Sequence, residues 1–259
     1  MKVAVVTSMF IYNNNKTDEC TNFKKIPGFD YILFTNNKNH AKNLINLWEI
    51  REIHPNCDNG LLATKLVKWQ THLFLPDYDI IIWVDLFFNL NINLLNDIKE
   101  AVNLVYNNNI DLYIRTQNFK NINVDISWCL KNNRISENRS NIFKNYAKNI
   151  GIDINEPSQT FWSSAIIFNN KLDKLQNLGK ELFELLNNVC YRDQFWLPYL
   201  FKKYNIKYSI INKEIFIISG KQNDSNHNYA NIIDNNYNNK NIINRNIKLN
   251  QINKYKTYK

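Results

Sequence analysis

The sequence predicts an α/β protein: a mostly parallel mixed sheet with helices on both faces. Two observations predict it. Residues 80–84 read Ile-Ile-Ile-Trp-Val, an unbroken apolar run that stops at Asp85. Strands of parallel sheets are covered on both sides and so lack the alternation of half-exposed strands. Strand-like and helix-like segments also alternate over the first hundred residues, the pattern of crossover-connected parallel strands.

Taken in order, residues 2–7 form a first buried strand, followed by a polar loop through Asn13-Asn14-Asn15. Residues 30–35 form a second strand, ended by Asn36-Asn37, and 48–53 a third. A helix is expected over 60–75, where Leu62, Leu66, Trp69 and Leu73 fall on one face and Pro76 stops it. The strand into Asp85 follows, then a helix over 94–106 and a short strand over 111–115. Residues 117–157 are polar, with one helix expected around 140–149, ended by Gly151. A strand over 161–168, an amphipathic helix over 172–187 and a further helix over 191–204 come next, then short strands over 207–211 and 214–218. After Ser219-Gly220 the composition shifts to Asn, Lys and Ile with little periodicity. The expected organisation is a domain over 1–220 and a tail over 221–259 that either wraps it or is partly disordered. There is no internal repeat.

Composition narrows the function classes. Five Gly and five Pro in 259 residues argue against a Gly-rich phosphate loop or a Pro-rich linker. No G-x-G-x-x-G or G-x-x-x-x-G-K-[ST] occurs, so the common dinucleotide and P-loop readings fail. The net charge of +9 suits nucleic acid, an anionic membrane surface or a phosphorylated small substrate. The Lys excess accompanies an abundance of Asn, Ile and Tyr, all residues of AT-rich codons, and forms no compact basic cluster; nucleic acid is not an expected partner. The four cysteines are far apart, without C-x-x-C, which fits a reducing compartment rather than a zinc ribbon or a disulfide framework. Met1-Lys2 leads straight into Val3-Ala4-Val5-Val6, too short for a signal-peptide core. No apolar run approaches the ~20 residues of a membrane span. A soluble, cytoplasmic protein with no transmembrane segment is expected; its oligomeric state leaves no mark in the sequence.

Four islands carry candidate chemistry. Thr7-Ser8-Met9-Phe10 ends the first strand and offers hydroxyls and backbone amides to a nucleotide. Phe34-Thr35-Asn36 ends the second strand on the same sheet edge, where a short polar group suits a base or ribose. Lys65 and Lys68 lie three apart on one helical face ahead of Asp85, so their amines can neutralise a diphosphate if the helix packs beside that strand. In open α/β sheets ligands bind at the carboxyl ends of strands, where an acid such as Asp85 can hold a metal or orient a sugar hydroxyl. Arg192-Asp193-Gln194 opens an aromatic-rich helix and places a carboxylate and an amide at a cleft floor. Each island also has an ordinary structural reading as a turn, a cap or a solvated face.

In order, these islands and the segments Ala63-Thr64-Lys65, residues 74–85 and Trp162-Ser163-Ser164-Ala165-Ile166-Ile167-Phe168-Asn169 resemble the GT-A nucleotide-sugar glycosyltransferases. The glycosyltransferase-like domain of plant pollen-turgor and seed-mucilage proteins and their microbial relatives is the particular likeness, over roughly residues 1–210. The resemblance implies a Rossmann-like single domain, a nucleotide-sugar donor such as a UDP-sugar, and a glycan or other hydroxyl acceptor. It places Thr7 and Ser8 at the nucleotide, Asn36 near base or ribose, and Lys65 and Lys68 facing the donor. It places Ser163 and Ser164 beneath the sugar, and Asp193 and Gln194 at the acceptor and donor-sugar floor. Asp85 matches the first acid of a D-x-D signature that holds Mn²⁺ or Mg²⁺, and His227 the position of a C-terminal metal-binding His. The sequence departs at Asp85-Leu86-Phe87, where Phe stands in place of the second acid.

Glycosyl transfer develops negative charge on the leaving diphosphate, which a metal ion or fixed cations must stabilise. Lys65, Lys68 or a tail residue such as Lys221 can take that role in place of a metal. A carboxylate beside the acceptor hydroxyl serves as base in an inverting reaction; in a retaining one Asp193 only orients the acceptor. The alternative is a catalytically silent sugar-nucleotide or glycan-binding protein on the same scaffold.

Overall fold

The computed structural model describes residues 1–11, 18–57 and 59–221. Its first half contains β1 (Val3–Met9), β2 (Asp30–Thr35), β3 (Glu49–Glu52), α1 (Gly60–Trp69), β4 (Ile80–Val84), β5 (Phe88–Leu90) and α2 (Leu95–Tyr106). Then follow β6 (Leu112–Gln117), α3 (Ile122–Lys131), α4 (Glu137–Asn149) and β7 (Thr160–Asn169). α5 (Asp173–Asn188), α6 (Asp193–Lys203), β8 (Tyr208–Ile210) and β9 (Phe216–Ile218) complete it. Seven strands form one mixed sheet in the order β3-β2-β1-β4-β7-β6-β8, and β5 pairs with β9 in a small second sheet.

The apolar run before Asp85 is β4, at the centre of the large sheet, with every residue buried. β1, β2, β3 and β4 are mutually parallel along their shared edges. The chain steps outward from β1 to β2 and β3, then returns to lay β4 on the other edge of β1. That reversal makes the carboxyl ends of β1 and β4 a topological switch point, where open α/β sheets leave a crevice. β7 runs antiparallel between β4 and β6, so its first residues lie at the same rim as the last residues of β4 and β6.

Both faces of the sheet carry a core. Ala4, Val6, Ile81 and Trp83 pack on one side with residues of α1, α3, α4, α5 and α6. Val3, Val5, Ile80, Ile82 and Val84 pack on the other, with α2 and the β5/β9 pair. The alternation along β1 and β4 thus chooses between two apolar layers, which is why no hydrophilic period marks these strands in the sequence. The expected mostly parallel sheet with helices on both faces is the observed architecture.

Asparagine closes the helices. Asn108, Asn133 and Asn205 adopt positive φ of 60, 52 and 48° just past α2, α3 and α6, and Gly151 does so past α4 at 77°. Left-handed residues at that position satisfy the last carbonyls of a helix, and Asn is the usual substitute for Gly there. In a chain with five Gly, Asn takes over most of these stops. Asn59 and Asn121 cap the other ends of α1 and α3, their Oδ1 accepting from Leu62 N at 2.9 Å and Val124 N at 3.0 Å.

Some expectations need correction. The helix over 60–75 ends at Trp69, with a separate 3-10 turn over Thr71–Leu73. Its buried stripe contains Leu62, Ala63, Val67, Lys68 and Trp69, not Leu66 or Leu73. The polar middle holds an additional helix, α3, whose apolar stripe Ile122, Ile126 and Cys129 is interrupted by buried Asp125. β5 is three residues long and was not anticipated. The expected tail lies outside the described residues from 222 onward, and no helix among the described residues is long and apolar enough to cross a membrane.

α5 crosses α1 at Gly179, where an added Cβ would overlap the backbone carbonyl of Trp69. Gly179→Ala must therefore part the two helices, at a cost of roughly 1–3 kcal/mol or more. A urea titration should show the loss as a lowered midpoint; an unchanged midpoint would mean that the backbones do not touch there.

Candidate active site

The carboxyl rim of the sheet gathers most of the expected site residues. α6 begins at the rim with Asp193, fully buried at 0% exposure. Its Oδ2 accepts from Lys65 Nζ at 2.7 Å, Ser163 Oγ at 2.6 Å and Trp69 Nε1 at 3.1 Å. Its Oδ1 accepts from the Gln194 backbone N–H at 3.2 Å. Burial alone would raise the Asp193 pKa; the charges of Lys65 and Lys68 and the hydrogen bonds from Lys65 and Ser163 outweigh it and hold the carboxyl well below the usual range. Lys65 is pulled both ways. Burial lowers its pKa, Asp193 raises it and Lys68 lowers it again, leaving it at about 8.

Asp85 stands at the end of β4 with its side chain 30% exposed. Its Oδ1 accepts from Trp83 Nε1 at 3.0 Å and Lys68 Nζ at 3.2 Å. Lys68 is itself buried, lies 5.0 Å from the Trp83 ring centroid, and donates to the Ser163 carbonyl at 2.7 Å. The two lysines, one helical turn apart on α1, thus serve two acids, Lys65 reaching Asp193 and Lys68 reaching Asp85.

Ser163 joins the pairs because of a bulge. Along β6 and β7 the register passes from Ile114 opposite Ile166 to Arg115 opposite Trp162. Ser163, Ser164 and Ala165 are therefore without partners on β6. Bulges break the ladder and re-aim groups beside sites. Here the bulge leaves the Ser163 carbonyl for Lys68 and directs its hydroxyl to Asp193, while the Ser164 carbonyl accepts from Asp85 N at 2.8 Å.

Thr7 and Ser8 lie on the neighbouring strand β1, Thr7 buried and Ser8 partly so. Ser8 Oγ donates to Thr64 Oγ1 on α1 at 3.0 Å. Asn36, past β2, is committed to backbone: its Oδ1 accepts from Ile11 N at 3.0 Å and its Nδ2 donates to Ile11 O at 2.7 Å. It fastens the start of the loop after β1. His227 lies outside the described residues. Thr7 Oγ1, Ser164 Oγ and Gln194 Oε1 are buried without a hydrogen-bond partner. Buried polar atoms are ordinarily satisfied, so such a group needs a partner such as water or a ligand.

Among the described residues the donor set offers a hard divalent ion a single partly exposed rim carboxylate, Asp85, and that one is paired with Lys68. Such ions take six or more oxygen ligands. Among the described residues no group of three or more His, Cys, Asp or Glu side chains is placed to hold one. Phe87 is packed in the core, 4.4 Å between ring centroids from Phe88, and Asp85 has the Lys68 ammonium beside it.

Three contributors were not singled out from sequence. Trp69 and Trp83 are core residues whose indole N–H groups serve the two acids. Arg115 ends the apolar run Leu112-Tyr113-Ile114 on β6, much as Asp85 ends its own run on β4, and its guanidinium lies 4.2 Å from the Trp162 ring centroid.

No family model and no curated protein matches the sequence. Among solved structures, the chain is similar to a glycosyltransferase involved in glycosylation of the major capsid of PBCV-1, with TM-score 0.44, 9% identity and 88% of this chain and 98% of that chain covered. It is similar to mouse xyloside xylosyltransferase 1 in its apo form, with TM-score 0.44, 11% identity and coverage of 82% and 86%. It is also similar to 4-diphosphocytidyl-2C-methyl-D-erythritol synthase from Anaerococcus prevotii, with TM-score 0.42, 10% identity and coverage of 88% and 95%. The roles of residues in this chain rest on its own geometry.

Removing one partner from a buried ion pair costs about 3–5 kcal/mol, so Asp193→Asn should destabilise by that order. The low Asp193 pKa stabilises the fold above the unfolded carboxyl value of about 3.9, and this contribution disappears as pH falls through that value toward the folded one. Urea titrations from pH 6 down to pH 3 should therefore show a steeper loss in wild type than in Asp193→Asn. Parallel pH profiles would refute the charged state of Asp193.

Proposed function

We propose that the chain binds a nucleotide-diphosphate sugar, with a UDP-sugar as the expected donor, and transfers the sugar to a hydroxyl of a glycan or other acceptor. The observation that carries this reading is the cluster of two lysines and two acids at the switch point of the sheet, bordered by unpartnered Thr7, Ser164 and Gln194 atoms. The likeness of the sequence islands to GT-A glycosyltransferases points the same way.

On this reading Thr7 and Ser8 receive the nucleotide, and Asn36 holds the loop that walls its base or ribose side. Ser163 and Ser164 lie beneath the sugar, and Gln194 offers its free Oε1 to it. Asp85, the half-exposed acid, faces the reacting groups. Lys68 is the fixed cation beside the leaving diphosphate, a place where a preorganised charge acts without reorganisation during reaction. Asp193 and Lys65 hold each other; with no exposed oxygen and a low pKa, Asp193 works by positioning Lys65 and Ser163. No step is assigned to a metal ion.

The lone, cation-paired Asp85 and the core position of Phe87 are also what a silent nucleotide-sugar binder on this scaffold would show. Thermal-shift measurements with UDP-, GDP- and CMP-sugars, each with manganese and with a chelator, separate the readings when combined with a donor-hydrolysis and transfer assay. A UDP-sugar should raise the melting temperature equally in both conditions and should be turned over. Asp85→Asn should keep the shift and lose turnover at least a hundredfold. Binding without turnover across the donors and a panel of glycan acceptors selects the silent binder; the absence of any nucleotide-sugar shift rejects the donor site.

A further inference from the structure

Arg115 is a charged group of this rim whose hydrogen-bonding capacity the ion pairs leave unspent. It lies in the second half of β6, one strand beyond β7 from Asp85, about 10 Å across the sheet by strand spacing. Its residue is 9% exposed, and its guanidinium lies 4.2 Å from the Trp162 ring centroid and 5.2 Å from that of Phe88. Two aromatic faces thus fix an otherwise flexible side chain. Its Nε and Nη1 are buried without a hydrogen-bond partner, and among the described residues no carboxylate lies within ion-pair distance of it.

The charges around it balance in pairs. Lys65 is matched by Asp193 and Lys68 by Asp85. Arg115 adds a further positive charge on the β6 side of the rim, close enough to Asp85 to feel its field. A guanidinium presents N–H groups in a rigid fork that matches two oxygens of a phosphate or carboxylate, and Arg stacked on an aromatic ring retains that fork. A core packing role alone would not place a cation here with buried donors unmet, because such donors are costly to leave bare.

We propose that Arg115 is the oxyanion-binding residue of this site, receiving two oxygens of an anionic substrate group in its Trp162-supported fork. This rests on the nucleotide-sugar reading for the identity of that group: a phosphate of the donor diphosphate, or a carboxylate on the sugar. The chemistry is the same and the source is separable by experiment.

Isothermal titration of wild type and Arg115→Gln with inorganic pyrophosphate, UDP, uridine, UDP-glucose and UDP-glucuronate tests it. The expected result is that Arg115→Gln weakens pyrophosphate and UDP at least tenfold while uridine is unchanged, which identifies the diphosphate as the group held. A loss confined to UDP-glucuronate identifies the sugar carboxylate instead. Arg115→Lys, which keeps charge without the fork, should recover only part of the loss; it also serves as the folded variant if Arg115→Gln does not fold. Affinities of the variants within twofold of wild type for every anion overturn the proposal, as does an equal loss for uridine. If wild type binds pyrophosphate through Arg115 but no nucleotide, the anion site stands and the nucleotide-sugar reading falls; if UDP binds but the variants do not weaken it, the reverse holds.

Discussion

The buried charge of Asp193 is the constraint on which the rim is built. A carboxylate removed from water is tolerated only when cations and hydrogen bonds replace its hydration. Lys65 and Trp69 come from α1, Ser163 from β7 and the Gln194 N–H from α6 itself. Meeting the needs of one side chain therefore fixes a helix that precedes the central strand against one that follows the last long strand. The N-terminal end of α6 adds its own favourable dipole for an acid in the first turn. Pro198 lies one turn on in the same helix and has no N–H for the carbonyl of Gln194, so this end of α6 keeps polar capacity that an uninterrupted helix would consume.

The bulge in β7 converts that constraint into a site. In a regular ladder the Ser163 carbonyl would bond to a neighbouring strand and its hydroxyl would stay on the local face. Instead the carbonyl binds Lys68 and the hydroxyl binds Asp193, while the next carbonyl continues the β4 ladder to the Asp85 amide. Ser163 thus contacts both ion pairs, through its carbonyl and its hydroxyl.

Much of the fold was legible because burial leaves a plain mark on sequence. The boundaries of β2 and the whole of β4 follow from apolar runs ended by polar residues, and α2 and α5 from helical periodicity. α3 was hidden because Asp125 occupies a buried position in its apolar stripe, and buried acids look like surface. The stripe of α1 was misjudged for the same reason: Lys68 reads as solvated, yet it is buried at 1% exposure because its charge is needed by Asp85. At the rim, the residues singled out in the sequence were legible as polar islands, but their partners were not. The sequence paired Lys65 and Lys68 with a ligand, whereas each first serves an acid of the protein. It overlooked Arg115 although that residue ends an apolar run as Asp85 does, because an Arg after Ile114 has an ordinary reading as a solvated strand end.

The departure at Phe87 and the burial of Lys68 are two sides of one arrangement. A D-x-D pair leaves two negative charges at the rim, which a divalent cation then balances. With Phe87 turned into the apolar layer beside Phe88, Asp85 is the one acid of that pair that remains. Lys68 supplies a single positive charge to that single acid, from a helix position that is buried and held by the Ser163 carbonyl as well. The charge of Asp85 is thus balanced by a side chain. On the proposed reading, a diphosphate arriving here meets cations that are already desolvated and oriented, and its first competitor for Lys68 is Asp85 itself. Donor binding then releases Asp85 from its cation, and a carboxylate freed in that way is a stronger acceptor for a hydroxyl proton than one held in an ion pair.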